Sequence, residues 1–176
     1  RTTYMLSKIY GEAMCNISNN LPYIIMRPHN FYGPRMGFSH VIPELIKKIY
    51  FNKKKYLELK SPNHKRSFCY IEDAVDIIYG LSSNKNTTFK TFNVGSPNKS
   101  ISIYDLTLKL SKILEKNIKI KKMENEVGSP SDRRADIKLM QKYLKFKFNY
   151  NLNKGIKNTF DWYKENIFFE NKKTFI

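Results

Sequence analysis

A mixed α/β fold with at least partly parallel strand pairing is predicted by two patterns in the chain. Short β-branched and aromatic runs, such as Tyr23–Met26 and "TFNVGS", alternate with longer stretches whose apolar residues recur every three or four positions. No internal repeat or low-complexity linker divides the 176 residues, and 41% hydrophobic content suits one folded core. Only three or four strands are expected, fewer than a doubly wound sheet carries. The seven glycines contain no GxGxxG arrangement, so no dinucleotide phosphate loop is present. Half of a larger fold is the expectation.

The elements follow in order. "RTTYMLSKIYGEAMC" opens a helix whose apolar set, Leu6, Ile9, Tyr10, Ala13, Met14 and Ile17, is predicted to be its buried face. Tyr4, Lys8 and Glu12, each four residues apart, share a stripe on the other side. Tyr23–Met26 reads as a buried strand stopped by Pro28, which has no backbone donor. A loop over 29–38 with Gly33, Pro34 and Gly37 precedes a helix opened by Pro43, with Ile42, Leu45, Ile46, Ile49 and Tyr50 inward.

"YLELK" is a short strand, and "RSFCYIEDAVDIIYGLSSN" begins extended and turns helical at about Asp73. Ala74, Val75, Ile78 and Leu81 face inward there, and Asp73 serves as a helix cap. Ser102 with Asp105 forms a capping arrangement for the next helix. A lysine-rich strand at about 118–123, a turn over 127–132 and helices over about 136–145 and 153–166 complete the chain. Phe160, Trp162 and Tyr163 are expected to pack the core.

Formal charge is +17, from 32 Lys and Arg against 15 Asp and Glu. The excess is mostly lysine scattered over several segments, following no single helix face and no nucleic-acid motif, so no nucleic-acid partner is expected. No apolar run approaches the ~20 residues of a membrane span. Cys15 and Cys69 lack metal or CxxC spacing and read as reduced core thiols of a cytoplasmic protein. His29, His40 and His64 are too dispersed for zinc, and no metal is expected.

Four stretches carry a family resemblance: "YMLSK" (4–8), "RPHNFYGPRMG" (27–37), "RSFCYIEDA" (66–74) and "SDRRADIKLMQKYLKF" (131–146). With "FNVGSP" and "GIKNTFDWYKEN", they resemble the C-terminal half of an extended short-chain dehydrogenase/reductase. The match is to the NAD-dependent nucleotide-sugar epimerase/dehydratase family. YxxxK alone is weak; followed by RPxNxYGP and RxFxYIxDA it is specific. The resemblance implies that residues 1–176 comprise the end of a Rossmann core interleaved with the smaller substrate-binding subdomain. The N-terminal NAD-binding half is then absent, and the chain alone is inactive.

The resemblance also implies roles. Such enzymes move a hydride between a sugar carbon and nicotinamide, which requires a base for the adjacent hydroxyl. Tyr4 is that base and acid. Lys8 is its electrostatic partner and an anchor for the NAD ribose, since a nearby cation favours a phenolate. Pro28 and His29 line the nicotinamide region, and Asn30 donates to a substrate phosphate. Arg66 and Arg133 clamp the diphosphate, with Arg134 competing for the second place. Val41 and Ile42 border the nucleotide base, and Glu12 is structural. A homodimer is implied for the whole protein. Epimerase, dehydratase and decarboxylase chemistry all stay open, as does a non-catalytic nucleotide-sugar-binding relative.

Overall fold

The computed structural model describes residues 2–18, 21–125 and 128–169. Helix α1 (Thr2–Ile17) leads to strand β1 (Ile24–Pro28) and the short β2 (Phe31–Tyr32). Next come α2 (Val41–Tyr50), β3 (Tyr56–Leu59), β4 (Lys65–Arg66) and β5 (Cys69–Tyr70). Then follow α3 (Ile71–Ser82), β6 (Lys90–Val94), β7 (Ile101–Ser102), α4 (Ile103–Ile113) and β8 (Lys119–Lys122). The chain ends with β9 (Asp132–Arg133), α5 (Lys138–Tyr143) and α6 (Leu152–Tyr163), which runs into a π turn over Lys164–Phe168. The strands outnumber expectation because several are two-residue pairings that periodicity cannot register. Of the expected turn over 127–132, Val127 lies outside the described residues.

Parallel pairing joins β1 to β6, β2 to β5 and β3 to β8; β4 pairs antiparallel with β7 and parallel with β9. Two apolar clusters result. The larger packs α2, α4 and α6 over β3, through Ile42, Ile46, Leu57, Leu106, Leu110, Ile156 and Phe160. The smaller packs α3 and α5 against β6, through Ile77, Leu81, Phe92, Val94, Ile137 and Met140. Tyr163, expected in the core, is buried there and donates its hydroxyl proton to the Met36 carbonyl, tying α6 to the loop after β2.

Capping at Ser102 holds as expected: its Oγ accepts from the Asp105 N–H at 2.9 Å and donates to the Asp105 carboxylate at 2.5 Å. Pro43 sits in the first turn of α2, where its missing N–H has no intrahelical partner to lose. Pro28 is the last residue of β1, and the N–H of His29 then donates to the Val94 carbonyl at 2.9 Å.

Other expectations are corrected. Helix α1 buries none of its residues, so Leu6, Ile9, Tyr10, Ala13, Met14 and Ile17 all face outward. It is held through polar contacts instead: Glu12 with Arg27, and the Tyr23 hydroxyl donating to Asn16 at 2.6 Å. Cys15 on that helix is only half-buried, whereas Cys69 is buried. Helix α3 begins two residues early, which shifts its inward stripe to Ala74, Ile77 and Leu81 and leaves Val75 54% exposed. Asp73 caps nothing in its own helix. It is 1% exposed and accepts the backbone N–H groups of Asn149 and Tyr150 at 2.9 and 3.2 Å. The long connection before α6 is thereby fastened to α3.

Candidate functional site

The helical spacing of four places Lys8 above Tyr4, with Nζ 5.2 Å from the ring centroid. Tyr4 is 67% exposed, and among the described residues neither its hydroxyl nor the Lys8 ammonium has a hydrogen-bond partner. Glu12, about 12 Å further along the helix axis, pairs both its oxygens with Arg27, at 2.8 and 2.5 Å. That contact holds the Glu12 carboxyl below its ordinary range and raises the Arg27 guanidinium, through hydrogen bonding first. Arg27 directly precedes Pro28 and His29. The ion pair therefore fastens the Tyr4/Lys8 helix to the segment carrying two more of the expected residues.

That segment ends at the carboxyl end of the parallel β1–β6 pair, the end at which open α/β sheets take ligands. The chain then turns sharply at Asn30, whose φ of 48° is left-handed, a conformation asparagine tolerates better than most residues. Its carbonyl accepts from Cys69 at 3.1 Å, and its amide nitrogen donates to the Ser67 carbonyl at 2.9 Å and lies 3.3 Å from His29 Nδ1. Both amide hydrogens are thus directed within the protein. Donation to a phosphate requires the His29 contact to yield.

Asn30, Val41, Ile42 and Arg66 line one small cavity of about 100 Å³ with Tyr32, His40 and Phe68. Four of the five residues expected to bind substrate, spread over 37 positions, meet there. Arg133 is the cross-strand partner of Arg66 in the β4–β9 register. Arg66 donates to the Lys65 and Pro130 carbonyls at 2.7 and 2.9 Å and to Ser129 Oγ at 3.0 Å. These use three of its five N–H groups and leave Nε–H and one Nη2 hydrogen unused. Arg133 is exposed; its carbonyl accepts from the Ser67 N–H at 3.4 Å, but its guanidinium has no hydrogen-bond partner among the described residues, and Asp132 forms no ion pair with it. Arg133 and Arg134, the competing choice, line neither cavity; Arg134 lies just beyond β9, so only Arg133 shares the register with Arg66.

The electrostatics agree with two cations held together. Burial lowers the Arg66 pKa, and Arg133 lowers it further. His29 is also pushed down, by burial first and then by Arg133 and Arg66. Confining like charges beside a half-buried imidazole costs free energy that an anion between them would relieve. Among the described residues no three His, Cys, Asp or Glu side chains converge as metal ligands, and no helix is long and apolar enough to cross a membrane.

A second, larger cleft of about 1060 Å³ adjoins the first through Val41 and Arg66, which line both. It runs between α2, β3 and the turn over 61–64. His40 at the small cavity and His64 at the large one were not singled out by sequence.

Known proteins resemble this chain along most of its length. The chain is 29% identical over 152 residues to human dTDP-D-glucose 4,6-dehydratase, covering 83% of this chain and 43% of the relative. It is 28% identical over 135 residues to UDP-glucuronic acid decarboxylase 3 of Arabidopsis thaliana, covering 75% and 38%. The fold superposes with a TM-score of 0.81, at 26% identity, on UDP-glucuronic acid 4-epimerase from Bacillus cereus in complex with UDP-glucuronic acid and NAD. That match covers 92% of this chain and 52% of the epimerase. The chain thus spans about half the length of such relatives or less. The profile of one family matches residues 1–95, from the Tyr4/Lys8 helix through the end of β6. By that match the chain belongs to the NAD dependent epimerase/dehydratase family.

Proposed function

We propose that this chain forms the part of an NAD-dependent nucleotide-sugar epimerase or dehydratase that holds the catalytic tyrosine and the sugar nucleotide. The dinucleotide phosphate loop would come from sequence outside it. The observation that carries the reading is the Arg66/Arg133 pair, opposite one another in cross-strand register, with Arg66 lining the cavity of Asn30, Val41 and Ile42 and neither guanidinium in a salt bridge among the described residues. A diphosphate supplies the missing negative charge, and its oxygens match the forked donors of arginine.

The residues present also fit NAD. A phenol and an ammonium stand free on one face of α1, and Pro28 and His29 sit at the carboxyl end of β1, near the helix through the Glu12–Arg27 pair. NAD held there would supply a reversible hydride acceptor for a sugar carbon. Tyr4 takes the proton of the hydroxyl on that carbon and gives it back. Lys8 keeps a positive charge beside the phenol and reaches ribose hydroxyls. Pro28 and His29 wall the nicotinamide side, Asn30 and the two arginines hold the diphosphate, and Val41 with Ile42 forms the apolar wall toward the base. The outward apolar stripe of α1 suits packing against a second copy in a homodimer.

The test is turnover by the whole protein, assayed with NAD and UDP-glucuronic acid or dTDP-glucose. Tyr4→Phe is expected to lower kcat by about 10²–10⁴ with nucleotide-sugar affinity little changed. An unaltered kcat would remove Tyr4 from its role. The decarboxylase relative favours a second reading, in which a carboxylated sugar loses CO₂ after oxidation; CO₂ release from UDP-glucuronic acid separates the two.

A further inference from the structure

We propose that Glu12 and Arg27 are positioning residues for the reaction, the pair that sets how the Tyr4/Lys8 helix stands relative to the carboxyl end of β1; this rests on the reading above. Strand β1 is held along its whole length by β6, with Arg27 opposite Asn93. Helix α1 has no such support. Within it only Glu12 and Cys15 are even half-buried. Among the described residues, its side-chain hydrogen bonds to the rest of the chain are those of Glu12 and Asn16. Asn16 meets Tyr23 in the connection before β1, so only Glu12 reaches the strand itself.

The effect on the site is one of leverage. Tyr4 precedes Glu12 by about 12 Å along the axis, so a tilt of about 5° at Glu12 moves the phenol by about 1 Å. A misplacement of about 1 Å can cost about 10² in rate.

Direction is fixed by the fork as well as by the charge. Arg27 donates from Nε and Nη2 to the two Glu12 oxygens, at 2.8 and 2.5 Å. Two parallel bonds set an orientation that a single ammonium contact would leave free to swivel. Across the ladder, Asn93 donates its amide to the Asp136 carbonyl at 3.1 Å, in the segment that follows Arg133. The pair therefore stands between the helix of Tyr4 and the strand that is tied to the arginine segment. Both of its groups are partly exposed, a setting in which an ion pair adds little to global stability. Its consequence is for geometry.

The experiment has two arms. Hydrogen exchange on the chain, read by mass spectrometry, compares α1 with β1 and β6. A sixteen-residue helix with no buried residue is marginal on its own. Glu12→Gln and Arg27→Lys should therefore speed exchange along Thr2–Ile17 about three- to tenfold and leave β1 and β6 unchanged. In the whole protein, supplied with NAD and UDP-glucuronic acid or dTDP-glucose, the same variants should lower kcat about ten- to a hundredfold. KM and melting temperature should stay at the wild-type values. Exchanging the charges, with Glu12→Arg and Arg27→Glu together, should recover part of both losses. Unchanged exchange of α1, or an unchanged kcat, would overturn the inference; so would a fall in melting temperature large enough to account for the lost turnover. Full turnover by Tyr4→Phe, or none by the wild type with either sugar, would overturn the reading beneath it as well. Loss of turnover in Tyr4→Phe beside a wild-type rate in Glu12→Gln would sink the inference alone.

Discussion

Arg66 and Arg133, 67 positions apart in sequence, stand opposite one another in the parallel β4–β9 pair. The Arg66 guanidinium is anchored by Lys65, Pro130 and Ser129, while that of Arg133 makes no hydrogen bond among the described residues. One arm is therefore fixed and the other is available, which suits a clamp more than a structural ion pair.

Arg133→Ala should weaken pyrophosphate and UDP to the same degree, by about tenfold or more, since a charged hydrogen bond contributes about 1.5–3 kcal/mol. Fold stability should change little, because Arg133 is exposed. Titration calorimetry at two salt concentrations checks both: the variant should bind more weakly and show the shallower salt dependence. Equal affinities for variant and wild type would dismiss the clamp.

His29 links pH to both stability and binding. Burial and the two arginines hold its folded-state pKa below the ordinary value of about 6.5. The unfolded chain then binds more protons in the window below pH 6.5 and down to the folded value, so stability falls as the pH drops through that window. A diphosphate between the arginines screens them and lets His29 take up a proton. A proton at Nδ1 also ends its acceptance from Asn30 and frees that amide for phosphate. Binding should accordingly tighten as the pH falls below His29's ordinary range, with net proton uptake visible as a buffer-dependent heat, and His29→Gln should abolish the uptake. A buffer-independent heat in the wild type would refute the linkage.

Gly155 in the first turn of α6 lies where a Cβ would meet the Tyr32 hydroxyl and the Tyr70 ring. Gly155→Ala should destabilise by about 1–3 kcal/mol despite the better helix propensity of alanine. Tyr32→Phe should restore part of that, because the nearest clashing atom is removed and its own bond, to the Leu152 carbonyl, is long at 3.5 Å. Urea denaturation of the two single variants and the double variant reads the coupling.

Asp73→Ala should cost about 2–4 kcal/mol, as it strips the acceptor from two part-buried backbone N–H groups. Hydrogen exchange should speed first at Asn149 and Tyr150. Uniform loss of protection would mean that the carboxylate supports the fold generally and not this connection.

Local geometry was legible in the sequence wherever a few neighbouring residues decide it. Four-residue spacing alone sets Lys8 over Tyr4, Ser102 and Asp105 cap their own helix, and the inward stripe of α2 follows from its period. Motif resemblance likewise nominated Arg66, Arg133 and Asn30, whose roles are proposals. The tertiary structure decided what depends on distant partners. Periodicity marks the apolar face of α1 but holds no information on what packs there, and among the described residues it faces outward. Asp73 could not be told from a cap, because its acceptor role is set by backbone N–H groups 76 and 77 positions away. Short-range order follows from backbone sterics and side-chain period, whereas a site is made by register between strands that only the packed chain brings together.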